Sequence, residues 1–225
     1  MNKDIYLIGG SKGGVGKSIV SMALIDYFLD KKENILLIET DTSNPDVYKN
    51  YSEEVNSKLV DLEEADGWIE LLNLCDDYKD SIVIINTKAA NNNSIKKYGE
   101  NLNSSLEALE RKLITLWVIN RQKDSLLLLK DFRDALPNAL VHVIRNEYFG
   151  DESKYQLYNN GKTKTDIENQ GGLSLNFPDI ADSISDILYT ERLSIKKAIE
   201  TLPIGNKAEL KRWKNLAQIT FDKIA

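Results

Sequence analysis

Short apolar runs recur along the chain at residues 5–8, 35–38, 81–86, 113–119 and 140–144, and within them consecutive positions, not alternate ones, are apolar. Strands read this way when helices cover both faces of a parallel sheet, because neither face meets water. The intervening segments carry wider apolar spacings. Residues 19–29 fit a buried helix, and residues 59–74 fit an acidic helix interrupted near Gly67. Residues 104–112 and 124–135 fit two more helices, the second closed by Pro137. Polar stretches at 31–34, 39–46 and 91–93 read as loops, and Pro45 forbids a continued strand. After Gly171-Gly172, residues 173–177 predict a last edge strand stopped by Pro178, followed by helices over 180–189, 195–202 and 208–224. The alternation predicts a doubly wound, mostly parallel α/β sheet with helices on both faces. No linker, internal repeat or low-complexity segment divides the chain, so residues 1–225 read as one domain.

Between the first strand and the first helix lies Gly9-Gly10-Ser11-Lys12-Gly13-Gly14-Val15-Gly16-Lys17-Ser18. A glycine-rich turn from strand to helix lets successive backbone N–H groups point inward, and the helix N-terminus adds the positive end of its dipole. This is the arrangement of a phosphate-binding loop. Residues 11–19 would wrap the phosphates, Lys17 would reach the β- and γ-phosphates, and Ser18 would hold Mg²⁺. The strict glycine-four-residues-Gly-Lys-Ser/Thr pattern is not met, because Ser11 stands where its first glycine belongs. The form present instead is Lys12-Gly-Gly-Val-Gly-Lys17-Ser18, with a second lysine.

That form resembles the deviant Walker A loop of the ParA/MinD family of P-loop ATPases. The resemblance implies ATP and Mg²⁺ as cofactors and an ATP-dependent homodimer in which Lys12 reaches the partner's nucleotide. It also gives Asp41, at the end of the second strand, the task of positioning the attacking water and supporting Mg²⁺, beside Lys12 and Lys17 as the other catalytic candidates. By strand alternation Glu39 would face the same way as Asp41 if the strand extends that far. The third strand departs from the family. Where a Walker B aspartate is expected the chain has Asn86, which supplies no charge to hold a metal, so the resemblance implies nucleotide binding with weak or slow hydrolysis. Asn146, after the fifth strand, is the family-implied candidate for the adenine edge, with a cap or turn role as the competing reading; for Asn120 the cap is favoured.

Three further stretches, residues 38–47, 116–125 and 145–150, look like the short ParA-like proteins of mobilisable and conjugative plasmids, the MobD-, TraL- and StbB-like group. That likeness implies a role in plasmid mobilisation, transfer or partition beside a relaxase or a small plasmid DNA-binding protein.

Composition narrows the alternatives. Net charge is −6, from 29 basic against 35 acidic residues, which disfavours bulk binding to nucleic acid and leaves only nonspecific, ATP-dependent contact with DNA. The single cysteine, Cys75, lies in an apolar stretch and fits a reducing compartment, and no apolar run approaches the ~20 residues that span a bilayer. A cytoplasmic protein is expected. His142, the only histidine, sits inside a strand without a cysteine or histidine nearby and reads as structural. In the last helix Leu210, Trp213, Leu216, Ala217, Ile219, Thr220 and Ile224 approximate one apolar face beside basic Lys207, Lys211, Arg212 and Lys214. That pattern suits a helix laid over the sheet, and also a MinD-like membrane contact. A scaffold gated by ATP without hydrolysis is the remaining alternative.

Overall fold

A computed structural model of the chain describes residues 3–10, 13–89 and 92–225. The apolar runs form β1 (Ile5–Gly10), β2 (Ile35–Glu39), β4 (Ile82–Asn86), β5 (Leu113–Ile119) and β6 (Leu140–Asn146). Two short edge strands complete the sheet, β3 (Asn56–Leu59) and β7 (Ser174–Phe177). The order is β3-β2-β4-β1-β5-β6-β7, and every pairing is parallel. Side chains alternate between two cores: Tyr6, Ile8, Leu37 and Ile84 face one, and Ile5, Leu7, Leu36 and Val83 the other. Burial on both faces explains why these strands are apolar at every position.

Helix α1 (Lys17–Asp30) leaves the phosphate loop, α2 (Asp46–Tyr51) follows β2, α3 (Ala65–Asp77) precedes β4, and α4 (Asn92–Leu109) and α5 (Lys123–Ala135) flank β5. Two short helices, α6 (Gln156–Asn159) and α7 (Lys162–Asn169), lie between β6 and β7. The chain ends with α8 (Asp182–Thr190), α9 (Ile195–Thr201) and α10 (Ile204–Phe221). The core on one face joins α1 with α8, α9 and α10; the core on the other joins α3, α4, α5 and α7. From Ile19 to Phe28 every residue of α1 is buried, as expected of a helix covered by the sheet on one side and by other helices on the other.

Several expected elements are corrected. The helix predicted over 59–74 is α3, which starts only at Ala65 and runs to Asp77; Leu59 ends strand β3, and a turn lies between. β3 is an edge strand with largely exposed side chains, so no apolar rhythm marks it; its hydrogen-bonded neighbour β2 defines it. Gly67 does not interrupt α3. It lies in the first turn, where an added Cβ would stand 1.7 Å from the Asp61 carbonyl oxygen, so glycine permits the close approach. The helix expected over 104–112 starts at Asn92 and ends at Leu109, and the asparagine loop expected over 91–93 is replaced at 92–93 by its first turn, while Asn91 lies outside the described residues. Ile95, Leu102, Leu106 and Leu109 supply its buried stripe, which asparagines around them obscure.

The last helix also differs from expectation. Leu210, Trp213, Ala217, Thr220 and Phe221 are buried, and the Trp213 indole donates to the Pro178 carbonyl at 2.9 Å. Leu216 and Ile219, expected on that face, are instead 40% and 57% exposed. Lys214 does not sit on a basic outer face: its ammonium lies 2.8 Å from both Asp26 and Asp30 of α1. Burial raises the Asp26 carboxyl to about 6, against the pull of Lys214. Among the described residues no helix is long and apolar enough to cross a membrane.

His142 is 3% exposed, its Nδ1 accepts from the Leu173 N–H at 3.0 Å, and its Nε2 has no hydrogen-bond partner among the described residues. Burial lowers its pKa from 6.5 to about 4. A depressed folded-state value means that the stability held by neutral His142 is complete above 6.5 and is lost as pH falls through about 4. The variant His142→Asn keeps an acceptor for Leu173 but does not titrate. Wild type should therefore lose, relative to this variant, on the order of 2 kcal/mol of unfolding free energy between neutral pH and the lower value. Denaturant titrations across that range check this; a difference that stays constant with pH would contradict it.

Candidate functional site

The phosphate loop is shaped by two different glycine requirements. At Gly10 a Cβ would press to 2.9 Å on both the Val118 carbonyl oxygen and Val15 Cγ2, so glycine lets β1 run tight against β5 and the loop. Gly14 and Gly16 hold left-handed φ angles of 77° and 101°, and Gly16 is the N-cap of α1. Among the described residues, a Cβ on Gly13 or Gly14 would meet nothing within 4 Å. Ser11 and Lys12 lie outside the described residues. Val15 and Ile19 are buried, Ser18 is half-buried, and Lys17 is 8% exposed. Burial holds the Lys17 ammonium below the usual lysine range, while Asp41 and Glu39 pull it back up.

The loop opens into a cavity of about 360 Å³ at the C-terminal end of the sheet, lined by Gly13, Gly14, Gly16, Lys17, Ser18 and Ile19 on one side and by Asp41, Asn86 and Thr87 on another. Open α/β sheets bind ligands at this end. Asp41 Oδ1 accepts from the Ser43 hydroxyl at 2.7 Å and the Asn44 N–H at 3.1 Å, which fold the loop after β2 over its carboxylate.

Glu39 ends β2 directly opposite Asn86 of β4 and is fully buried. The Asn86 amide donates to both carboxylate oxygens of Glu39, at 2.9 and 3.0 Å, while its carbonyl oxygen accepts from the Ser21 hydroxyl of α1 at 2.8 Å. Glu39 Oε1 also accepts from the Asp41 N–H at 3.1 Å. Burial pushes the Glu39 carboxyl up to about 7, opposed by the Asp41 N–H and the Asn86 amide. The residue that looked like a missing acid is thus a donor clamped on a carboxylate one strand away. Glu39 lies beneath Asp41 instead of beside it on the cavity wall.

Asn146 lines the cavity, but both ends of its carboxamide are engaged. Nδ2 donates to the Val15 carbonyl at 2.9 Å, and Oδ1 accepts from the Tyr148 N–H at 3.1 Å. Asn120 accepts from the Gln122 N–H and the Ser125 hydroxyl, tying the turn into α5. Sequence reasoning missed the remaining wall: Thr87, whose hydroxyl donates to the Ile8 carbonyl at 2.7 Å, and Tyr148, Phe177, Pro178, Ile180 and Tyr189. Pro178 was legible as a strand stop, yet nothing local in the sequence places it opposite the loop.

These residues fit a nucleotide. Gly13 and Gly14, the helix N-terminus and a buried lysine suit a chain of phosphates, and the mixed wall of Tyr148, Phe177 and Pro178 suits a flat heterocycle. For Mg²⁺ the cavity offers the Ser18 hydroxyl and the Asp41 carboxylate. Among the described residues no cluster of three or more His, Cys, Asp or Glu forms a protein cage. Mg²⁺ is commonly held by one or two protein oxygens together with phosphates and water, so two donors are compatible with it.

Comparison with known proteins agrees with this geometry. Residues 6–150 match the CobQ/CobB/MinD/ParA nucleotide-binding domain. Protein MobD of Acidithiobacillus ferrooxidans is 59% identical over 224 residues, covering 100% of this chain and 99% of that protein. Among solved structures, the septum site-determining protein MinD of Pyrococcus horikoshii, complexed with Mg-ADP, superposes with a TM-score of 0.58 at 14% identity, over 96% of this chain and 94% of its own. A nucleotide-binding protein of Archaeoglobus fulgidus in complex with ADP superposes at 0.53 with 11% identity, over 85% and 87%. Identities this low carry the fold alone, whereas the domain match and the full-length likeness to MobD carry the family. The chain is a MobD-like member of the CobQ/CobB/MinD/ParA nucleotide-binding family, with its P-loop α/β fold.

Proposed function

We propose that this chain binds ATP with Mg²⁺ on the phosphate loop and works as a nucleotide-dependent homodimeric switch with slow ATP hydrolysis, in plasmid mobilisation, conjugative transfer or partition. The observation that carries the reading is the cradle itself: Gly13, Gly14 and Gly16, two of them with left-handed φ, line a cavity together with the buried Lys17 at the N-terminus of α1. Full-length likeness to MobD supports the plasmid context.

In this reading residues 13–19 wrap the phosphates, Lys17 meets the β- and γ-phosphates, and Ser18 and Asp41 hold Mg²⁺, which neutralises phosphate charge when bound. Lys12, in the role that the likeness to the ParA/MinD loop implies, reaches across to the nucleotide of a second copy. Asp41 is also the group that orients water, since its carboxylate faces the cavity while Glu39 is sealed below. A relaxase or a small plasmid DNA-binding protein is the partner class. The burial of the Leu210, Trp213 and Phe221 face of α10 supports the reading of this helix as a cover for the domain.

Nucleotide-dependent sedimentation tests the switch. Wild type should shift from monomer to dimer with ATP and Mg²⁺; Lys17→Ala should lose nucleotide binding by at least about 100-fold; Lys12→Ala should keep nucleotide and lose the dimer. Equal loss of nucleotide in both variants would place Lys12 within its own subunit and defeat the dimer reading.

A second test concerns the clamp on Glu39. Asn86→Asp would replace a donor at 2.9 and 3.0 Å from the two Glu39 oxygens with a second carboxylate. Chemical denaturation should show a loss on the order of 2 kcal/mol, and ATP turnover should not rise. A variant as stable as wild type with faster turnover would show that position 86 has merely lost an acid.

A further inference from the structure

The end of β6 makes an unexpected attachment to the phosphate loop. Asn146 is 5% exposed, and its amide nitrogen donates to the main-chain oxygen of Val15, a loop residue 131 positions away in sequence. The same nitrogen would lie only 2.3 Å from a Cβ on Gly16, so the absent side chain of Gly16 is what lets the amide come in beneath the loop. The orientation of the carboxamide is fixed from both ends: the Val15 carbonyl can only accept, and the Tyr148 N–H can only donate. Behind it, the Tyr155 hydroxyl donates to the main-chain carbonyl oxygen of Asn146, and Tyr155 is 2% exposed. The support is therefore anchored on its far side in the segment between β6 and β7.

We infer that Asn146 is a positioning residue of the phosphate loop, holding residues 15 and 16 in the shape that receives phosphates, and is not the group that reads the base. The inference rests on the nucleotide reading of the cradle. Its physical content is that a loop held between glycines of positive φ has many competing conformations, and a buried hydrogen bond from a rigid strand end selects one of them before ligand arrives. Beyond these two bonds Asn146 keeps one N–H and one oxygen lone pair, but turning the carboxamide toward a base would release Val15 or Tyr148 and leave a buried polar group without its partner.

Titration calorimetry of the full chain with Mg²⁺ separates the two roles, using ATP, GTP and inorganic tripolyphosphate as probes against wild type, Asn146→Ala and Asn146→Asp. Asn146→Asp keeps the acceptor for Tyr148, turns the Val15-facing donor into an oxygen and adds a negative charge. As a positioning residue, Asn146 predicts that within each variant ATP and tripolyphosphate weaken by a common factor, about tenfold for Asn146→Ala and more for Asn146→Asp, with the ATP-to-GTP ratio unchanged. Hydrogen exchange of the ligand-free variants should accelerate at residues 13–16, while the thermal midpoint moves by only a few degrees, a pattern that general destabilisation would not give. Weakened ATP binding with unaltered tripolyphosphate binding, or collapse of the ATP-to-GTP ratio, would overturn the inference in favour of base reading. Wild type that bound neither ATP nor tripolyphosphate would instead defeat the nucleotide reading itself.

Discussion

A carboxylate sealed inside a parallel sheet must be met by donors or take up a proton, and Glu39 imposes that condition on everything around it. Asn86 meets it with an amide donating to both oxygens, Asp41 adds its backbone N–H, and Ser21 completes the other end of Asn86 from α1. The arrangement joins β2, β4, the helix that leaves the phosphate loop and the carboxylate that faces the cavity. It also changes the meaning of asparagine at position 86. An aspartate there would set two buried carboxylates within hydrogen-bond distance of each other, so the neutral side chain complements Glu39. Acidic character at this end of the sheet is retained, one strand over.

The fold was legible wherever burial leaves a local trace. Five strands are buried on both faces, and their continuous apolar runs name them without reference to neighbours. Edge strand β7 could be read because Pro178 ends it, but β3 could not, since Asn56, Ser57 and Lys58 have no apolar face and are held as a strand by the backbone of β2. Helix α4 hid its stripe of Ile95, Leu102 and Leu106 among asparagines whose preference is for turns and caps. The segment between β6 and β7 was silent for another reason. Its helices are one or two turns long, too short for periodicity to register, and they are fixed by Tyr155, Tyr158 and Ile167 reaching the core.

The site divides along the same line. Phosphate cradles are built from consecutive residues, so glycines 13, 14 and 16, Lys17 and Ser18 could be named from sequence, as could Asp41 from its place after β2. Glu39 and Asn86 are 47 residues apart, and Asn146 and Val15 are 131 apart. A contact between side chains of that separation leaves no mark in local spacing. Asn146 and Asn86 could each be placed at the end of a strand, yet the sequence could not say which atoms their carboxamides would meet.

These two long-range attachments act at the same end of one rigid object, helix α1. Asn146 supports the loop at Val15, just ahead of α1, and Asn86 grips α1 one turn later through Ser21. At the far end Lys214 of α10 bridges Asp26 and Asp30, and the Tyr27 hydroxyl donates to Asp222. Between these points α1 is buried all round, so tilting it would disturb the sheet on one side and α10 on the other. Compact packing of that kind resists small displacements. The loop after β2 is differently placed: Asp41, Ser43 and Asn44 are bonded chiefly to one another at the surface, with the Glu39 contact at their base. A ligand's charge arriving in the cavity therefore meets a fixed floor at Lys17 and a wall at Asp41 held mainly by local hydrogen bonds.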